Sequence, residues 1–249
     1  MTQLEIKSDV GLEEPLRIER LLAEISTFFI NLPADRIDSE IGAAQRRICE
    51  FLDLDRSSLF QVPKEDPETL LLTYFHQPPR SRIPPERMSL KEFFPWALQK
   101  VLAGETITIS KMTDLPAEAG RDRETFGLYG TRSVVVAPLS VGRRGVFGLL
   151  TFSSMREERE WTETEVEQFK LVAQIFANAL ARKQMEEQLK ERLQEIENLK
   201  QRLERENIYL QEEIKLLSEH SEIVGQSLSL IHISEPTRLN STSRMPSSA

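Results

Sequence analysis

Apolar residues recur along this chain at several distinct spacings, and each change of spacing marks a new element. From Pro15 onward Ile18, Leu21, Leu22, Ile25, Phe28 and Phe29 fall three and four residues apart, which predicts one face of a helix. After Pro33 and Ala34 a second such face is formed by Ile37, Ile41, Ala44, Ile48, Phe51 and Leu52, giving that helix a buried side. The signal then becomes extended. SSLFQV (57–62), a turn PKEDPE and TLLLTYF (69–75) predict a β-hairpin, and Pro78, Pro79, Pro84 and Pro85 interrupt regular structure after it. SLKEFFPWALQKVLA (89–103) predicts a helix with Ser89 as N-cap and Glu92 as its capping-box partner. Gly104 ends that helix, TITI (106–109) is a short strand, and DLPAEAGRDRETFGLYG (114–130) reads as a loop with a short helix closing over something. RSVVVAPL and VFGLLTFSS, joined by SVGRRG, carry the clearest strand signal and predict a central antiparallel hairpin.

From Thr162, an N-cap with Glu165 three residues on, a helical pattern runs without Pro or Gly to Leu217. Its first part (Val166, Phe169, Leu171, Val172, Ile175, Phe176, Ala179, Leu180) is broad enough to pack on a domain. Beyond it the apolar stripe narrows to two positions in seven. Leu189, Ile196, Leu203, Leu210 and Leu217 occupy d, while Leu193, Lys200, Asn207 and Ile214 occupy a. So thin a seam cannot bury itself against a globular core and predicts a coiled coil over 183–218. A second copy is the natural partner. Asn207 at an a position fixes register and favours a parallel pair, and Arg192 at g faces Glu197 at e of the partner. A solvated helix docked on a following domain is the competing expectation.

Composition narrows the function classes. The formal charge is -8, so the chain repels polyanions and is not expected to bind nucleic acid directly. Cys49 is the lone cysteine; it excludes an intrachain disulfide framework, favours the cytoplasm, and is read as packing rather than as a nucleophile. A signal peptide and a membrane span are not expected. Only His76 and His220 precede residue 228, too few with one cysteine for a Cys/His zinc site, so no metal and no cofactor are expected. GRRGVFG (142–148) has glycines near phosphate-loop spacing, but no Lys-Ser/Thr and no helix start follows, so it is read as a strand connection. No catalytic motif appears, and no enzymatic activity is expected.

The element order and the strings FFPWALQKVLAGETITI, DLPAEAGRDRETFGLYGTRSVVVAPL and GVFGLLTF resemble those of GAF domains, over residues 14–182. The resemblance implies an α+β fold, a GAF-like antiparallel sheet flanked by helices, followed by a long C-terminal coiled-coil helix. It also implies a ligand pocket between the sheet and the loop–helix layer, with Phe94, Trp96, Tyr129, Arg132 and Ser133 as candidate lining. Aromatics would supply apolar area there, and an Arg an anion anchor. Methionine sulfoxide reductases of this kind need more than one redox cysteine, and bilin-binding relatives need a chromophore Cys with His support; this chain has Cys49 alone, in a predicted early helix.

The coil followed by SEIVGQS (221–227) resembles the junction of sigma-54-dependent, formate-hydrogenlyase-activator-like, Fis-type regulators, where a coiled linker enters an AAA+ ATPase. That resemblance implies a sensor binding an unknown small molecule, a parallel homodimer, and 219–227 as the start of an ATPase. A full-length form would then contact sigma-54 RNA polymerase and DNA. A sensor feeding a histidine kinase or cyclase is a second expectation, although no phospho-acceptor His lies between Thr162 and Leu217. A ligand-free dimerisation module is the third. LSLIHISEPTR (228–238) and SRMPSSA (243–249) resemble translated sequencing adapter in a single register. Residues 228–249 are therefore expected to be an adapter-derived, disordered tail behind a truncation. Without them, 30 basic residues stand against 39 acidic ones. Residues 1–13 are expected to be a flexible start.

Overall fold

The computed structural model describes residues 5–233 except 64, 65, 67, 80, 143 and 144, with side chains given from Arg17 to Leu217. Expectations for 1–4, for parts of the PKEDPE and SVGRRG turns, and for 234–249 lie outside the described residues. The chain divides into two units, residues 1–188 and 189–249.

The first unit is built on one six-stranded antiparallel sheet. Its strands are β1 (Arg56–Gln61), β2 (Thr69–His76), β3 (Arg87–Ser89), β4 (Ile107–Ile109), β5 (Ser133–Leu139) and β6 (Gly148–Ser154), in the order β3-β2-β1-β6-β5-β4. The expected hairpins are both present: β1 pairs with β2, and β5 with β6. β1 and β6 fill the centre, pairing Arg56 with Ser153 and Ser58 with Thr151. Gly148 fits where β6 meets β1, since a Cβ there would come 2.4 Å from the Phe60 carbonyl oxygen.

Alternation along the strands divides the core in two. One face presents Leu59, Val135, Ala137, Leu150 and Phe152 to the helices α1 (Glu5–Asn31), α2 (Ile37–Phe51) and α6 (Glu163–Ile233). Phe152 stacks on Phe169 with ring centroids 4.6 Å apart, and Phe29 meets Phe176 at 5.3 Å. Cys49 is buried in this layer, where burial above all pushes its thiol up to about 12, so it packs as an inert apolar group. The other face presents Phe60, Leu70, Val134, Val136 and Leu149 to α3 (Leu90–Phe93), α4 (Pro95–Leu102) and α5 (Gly120–Leu128).

Several boundaries differ from expectation for local reasons. The helix expected over 89–103 is two: Ser89 caps α3 through the Glu92 N–H, but Pro95 opens α4 after a non-helical Phe94. A proline has no N–H to donate and pushes its predecessor out of the helical region. β3 is only three residues long, too short to show alternation. At residue 73 the β1–β2 register slips, with Leu59 opposite Tyr74 but Phe60 opposite Leu72. This bulge turns Tyr74 toward the helix layer, where its hydroxyl bonds Asp38 and Asp38 also accepts from Lys183 of α6. α1 starts at Glu5, ahead of Pro15, and α6 runs through 219–227 to Ile233, including six residues expected in a disordered tail. Within 163–233 no Pro stops the helix, and the lone Gly225 costs only ~1 kcal/mol.

α6 begins as expected, with a complete capping box. The Thr162 hydroxyl accepts from the Glu165 N–H at 3.2 Å, and Glu165 accepts from the Thr162 N–H at 2.9 Å. In the second unit Leu189, Leu193, Ile196, Leu203, Asn207, Leu210, Ile214 and Leu217 all lie on helix and are exposed within the single chain. Arg192 pairs there with Glu195 of its own helix at 2.8 Å. No helix among the described residues is long and apolar enough to cross a membrane.

Candidate functional site

A cavity of about 80 Å³ lies between the sheet and the α3–α5 layer. Its floor is the inner face of β1, β6 and β5, and its roof comes from Leu90, Phe94, Ala97, Val101 and Phe126. The roof is held by hydrogen bonds that no local sequence pattern announces. Asp122, fully buried on α5, accepts from the N–H groups of Trp96 and Ala97 at 3.1 and 2.9 Å, capping α4 from another element. Burial pushes its carboxyl up from the ordinary value, and the two backbone donors pull it partly back. Thr125 donates to the Phe93 carbonyl at 2.7 Å, and Arg123 binds the carbonyls of Met112 and Leu115 at 3.0 and 2.6 Å. Together these bonds tie α5 to α3, α4 and the 112–116 turn.

Among the described residues the lining contains no Asp or Glu and a single cation, Arg56. Arg56 is 4% exposed. One terminal nitrogen donates to the Tyr129 carbonyl at 2.9 Å, and the other lies 3.5 Å from the Thr131 hydroxyl. Phe75 lies beneath the guanidinium at 6.0 Å, and Nε is buried without a partner among the described residues. Burial lowers the Arg56 pKa, with neighbouring Asp55 opposing the shift. Asp55 is itself engaged by the N–H groups of Met155 and Arg156 at 2.7 and 3.1 Å and by the Arg156 guanidinium at 2.6 Å.

Of the five residues proposed from sequence, Phe94 and Tyr129 line the cavity. Trp96 packs against the same core beside it and does not line it. Arg132 precedes β5, is exposed and does not line the cavity; the cation that lines it is Arg56. Ser133 alternates with Val134 and therefore points to the opposite, buried face, where its hydroxyl has no partner. Period-2 alternation through Phe60 could have found Arg56 and Ser58, because all three share one face of β1. No cluster of three or more His, Cys, Asp or Glu able to hold a metal exists among the described residues.

An antiparallel six-stranded sheet with helices on one face and a cavity under a loop–helix layer on the other defines a sensor-type α+β domain. The family model "GAF domain" matches residues 38–180, more than half the chain, and this chain belongs to that family. Similar solved structures include the phycocyanobilin-bound GAF domain from a cyanobacterial phytochrome, 18% identical with a TM-score of 0.55, covering 68% of this chain and 96% of that one. The GAF domain of a phosphoenolpyruvate-protein phosphotransferase from Coxiella burnetii is 16% identical with a TM-score of 0.53, over 69% and 97%. Free methionine-R-sulfoxide reductase from Neisseria meningitidis, in complex with its substrate, is 15% identical with a TM-score of 0.51, over 69% and 92%. These likenesses establish the fold. No curated protein matches the chain significantly.

Proposed function

We propose that the chain is the signal-sensing module of a sigma-54-dependent transcriptional activator, working in the cytoplasm as a parallel homodimer. A small molecule occupies the cavity above β1, β5 and β6, and α6 carries the change to an output domain after SEIVGQS. The observation that carries the reading is the cavity itself, placed within a GAF fold whose last helix goes on to display an unburied heptad seam. SEIVGQS and the coil before it support the sigma-54 assignment by resemblance.

A ligand drives such an output only by binding two helix arrangements unequally, typically by ~1–3 kcal/mol. The physical link on offer is short: Lys183 of α6 binds Asp38 at 2.6 Å, and Asp38 accepts from Tyr74, next to Phe75 under Arg56. Two of the similar structures hold a bilin and a substrate, but a cavity of about 80 Å³ fits neither a bilin nor any drug-sized ligand, whose sites span roughly 300–1,000 Å³. The reading assigns no catalysis to the chain, because Cys49 lies across the sheet from the cavity with its thiol pushed up.

The test fuses residues 1–227 to the ATPase and DNA-binding domains of a sigma-54 activator and measures sigma-54-dependent transcription against a panel of small metabolites. Ligand-dependent output that Leu203→Asp abolishes is expected. Output that never responds to any metabolite and survives Leu203→Asp would refute the reading.

A further inference from the structure

The register of the central strands grades the cavity floor from polar to apolar. At one end Arg56 sits opposite Ser153, and one step along Ser58 sits opposite Thr151. At the next step Phe60 is beside Leu149. All six side chains line the cavity. One end therefore offers a cation and three hydroxyls, and the other offers only hydrocarbon.

Arg56 is the unusual member. A buried charge without a full set of partners is costly, and a guanidinium remains charged at any working pH. Among the described residues its Nε has no partner and no carboxylate lines the cavity, and Asp55 is committed to Arg156 and two backbone N–H groups. Such a site suits a small anion better than a neutral molecule. Size bounds it further: an apolar cavity of ~150 Å³ accommodates benzene, with its six carbon atoms, so about 80 Å³ leaves room for roughly three to five non-hydrogen atoms.

We propose that this cavity binds a short-chain carboxylate, one carboxylate oxygen accepting from the Nε–H of Arg56 and its alkyl end toward Phe60 and Leu149. Arg56 is then the specificity-determining residue of the site. The proposal rests on the sensor reading given above and names the ligand class for the same cavity. A carboxylate oxygen on Nε completes a charge-assisted pair that water completes less well. It also links the ligand to the Tyr129 carbonyl through one guanidinium, and so to the turn between α5 and β5.

The experiment titrates the full chain at constant ionic strength with acetate, nitrate and acetamide, which have the same number of non-hydrogen atoms. The Arg56 Nε–Hε resonance and the methyl resonances of Leu149 are followed by NMR. Acetate is expected to shift both saturably; acetamide, lacking the charge, and nitrate, lacking the apolar end, are each expected to bind about tenfold or more weakly. Arg56→Lys, which keeps the charge but loses the planar fork, is expected to weaken acetate by about tenfold or more. Because that variant could also misfold, the wild-type Nε–Hε signal decides the question independently. Acetamide or nitrate binding as well as acetate overturns the proposal, as does the absence of any saturable shift at Arg56. The sensor reading fails separately: it survives a failed acetate titration whenever another metabolite drives the fusion transcript, and falls only when none does.

Discussion

Between Arg17 and Gln188 the chain buries most of its patterned apolar residues within itself, whereas from Leu189 to Leu217 it leaves every seam residue exposed. Both stretches are rich in Leu and Ile. They differ in the width of the apolar pattern: strand alternation and the broad stripe of early α6 find complementary surfaces inside the sheet–helix sandwich, while two positions in seven find none among the described residues. Burial is worth roughly 25 cal/mol per Å² of apolar surface, so an exposed seam of this length is a strong drive toward association. The contrast teaches that the width of an apolar pattern, not its residue types, decides whether it is buried within the chain.

The largest effect is expected from Phe152→Ala. That side chain is 1% exposed and stacked on Phe169, so its loss should destabilise the first unit by ~3–5 kcal/mol, read by denaturant unfolding. The intrinsic pairing of the 189–217 helix should not change. Leu203→Asp reverses that pattern. By sedimentation it should abolish dimer formation at micromolar concentration, while the unfolding midpoint of the first unit, measured on the monomer, stays unchanged.

A smaller loss, ~1–3 kcal/mol, is expected for Gly148→Ala, because the new Cβ meets the Phe60 carbonyl at 2.4 Å and the central strands must separate locally. The smallest is Glu165→Gln, ~0.5–2 kcal/mol at neutral pH from the capping box. Burial pushes the Glu165 carboxyl up, but the Thr162 N–H and Arg159 outweigh it and leave it below the ordinary value. Its folded pKa is thus depressed, so its stabilisation is complete above the unfolded value and is lost as pH falls through the folded one. The gap between wild type and Glu165→Gln should close in acid; a gap constant down to pH 2 would show that the carboxylate charge is not involved.

The same contrast separates what was legible in the sequence from what was not. Both hairpins, the Thr162–Glu165 cap and the packing role of Cys49 follow from local periodicity and cap chemistry, and each appears where the sequence puts it. The break at Phe94–Pro95 was legible in principle, since proline dictates it. The bulge at residue 73 was not, because it depends on pairing with β1. Phe94 and Tyr129 reached the cavity through resemblance to a family. Ser133 did not, since one residue of register decides which face a strand residue takes, and Arg132 did not, because it lies exposed just ahead of β5. Asp122 is a buried helix cap supplied from 25 residues away in sequence, a long-range hydrogen bond that no window of residues contains.

The most direct measurement joins the two regions. Cys49 is buried, with its thiol pushed up to about 12, so a spin label introduced at Gln201→Cys reports on the coil alone. Pulsed electron–electron distances are recorded without acetate and at the concentration that saturates the Arg56 signal. A short interprotomer distance whose distribution shifts on adding acetate is predicted. No dipolar interaction at all, or a distance that ignores a ligand already bound at Arg56, would contradict a sensor that speaks through its helix.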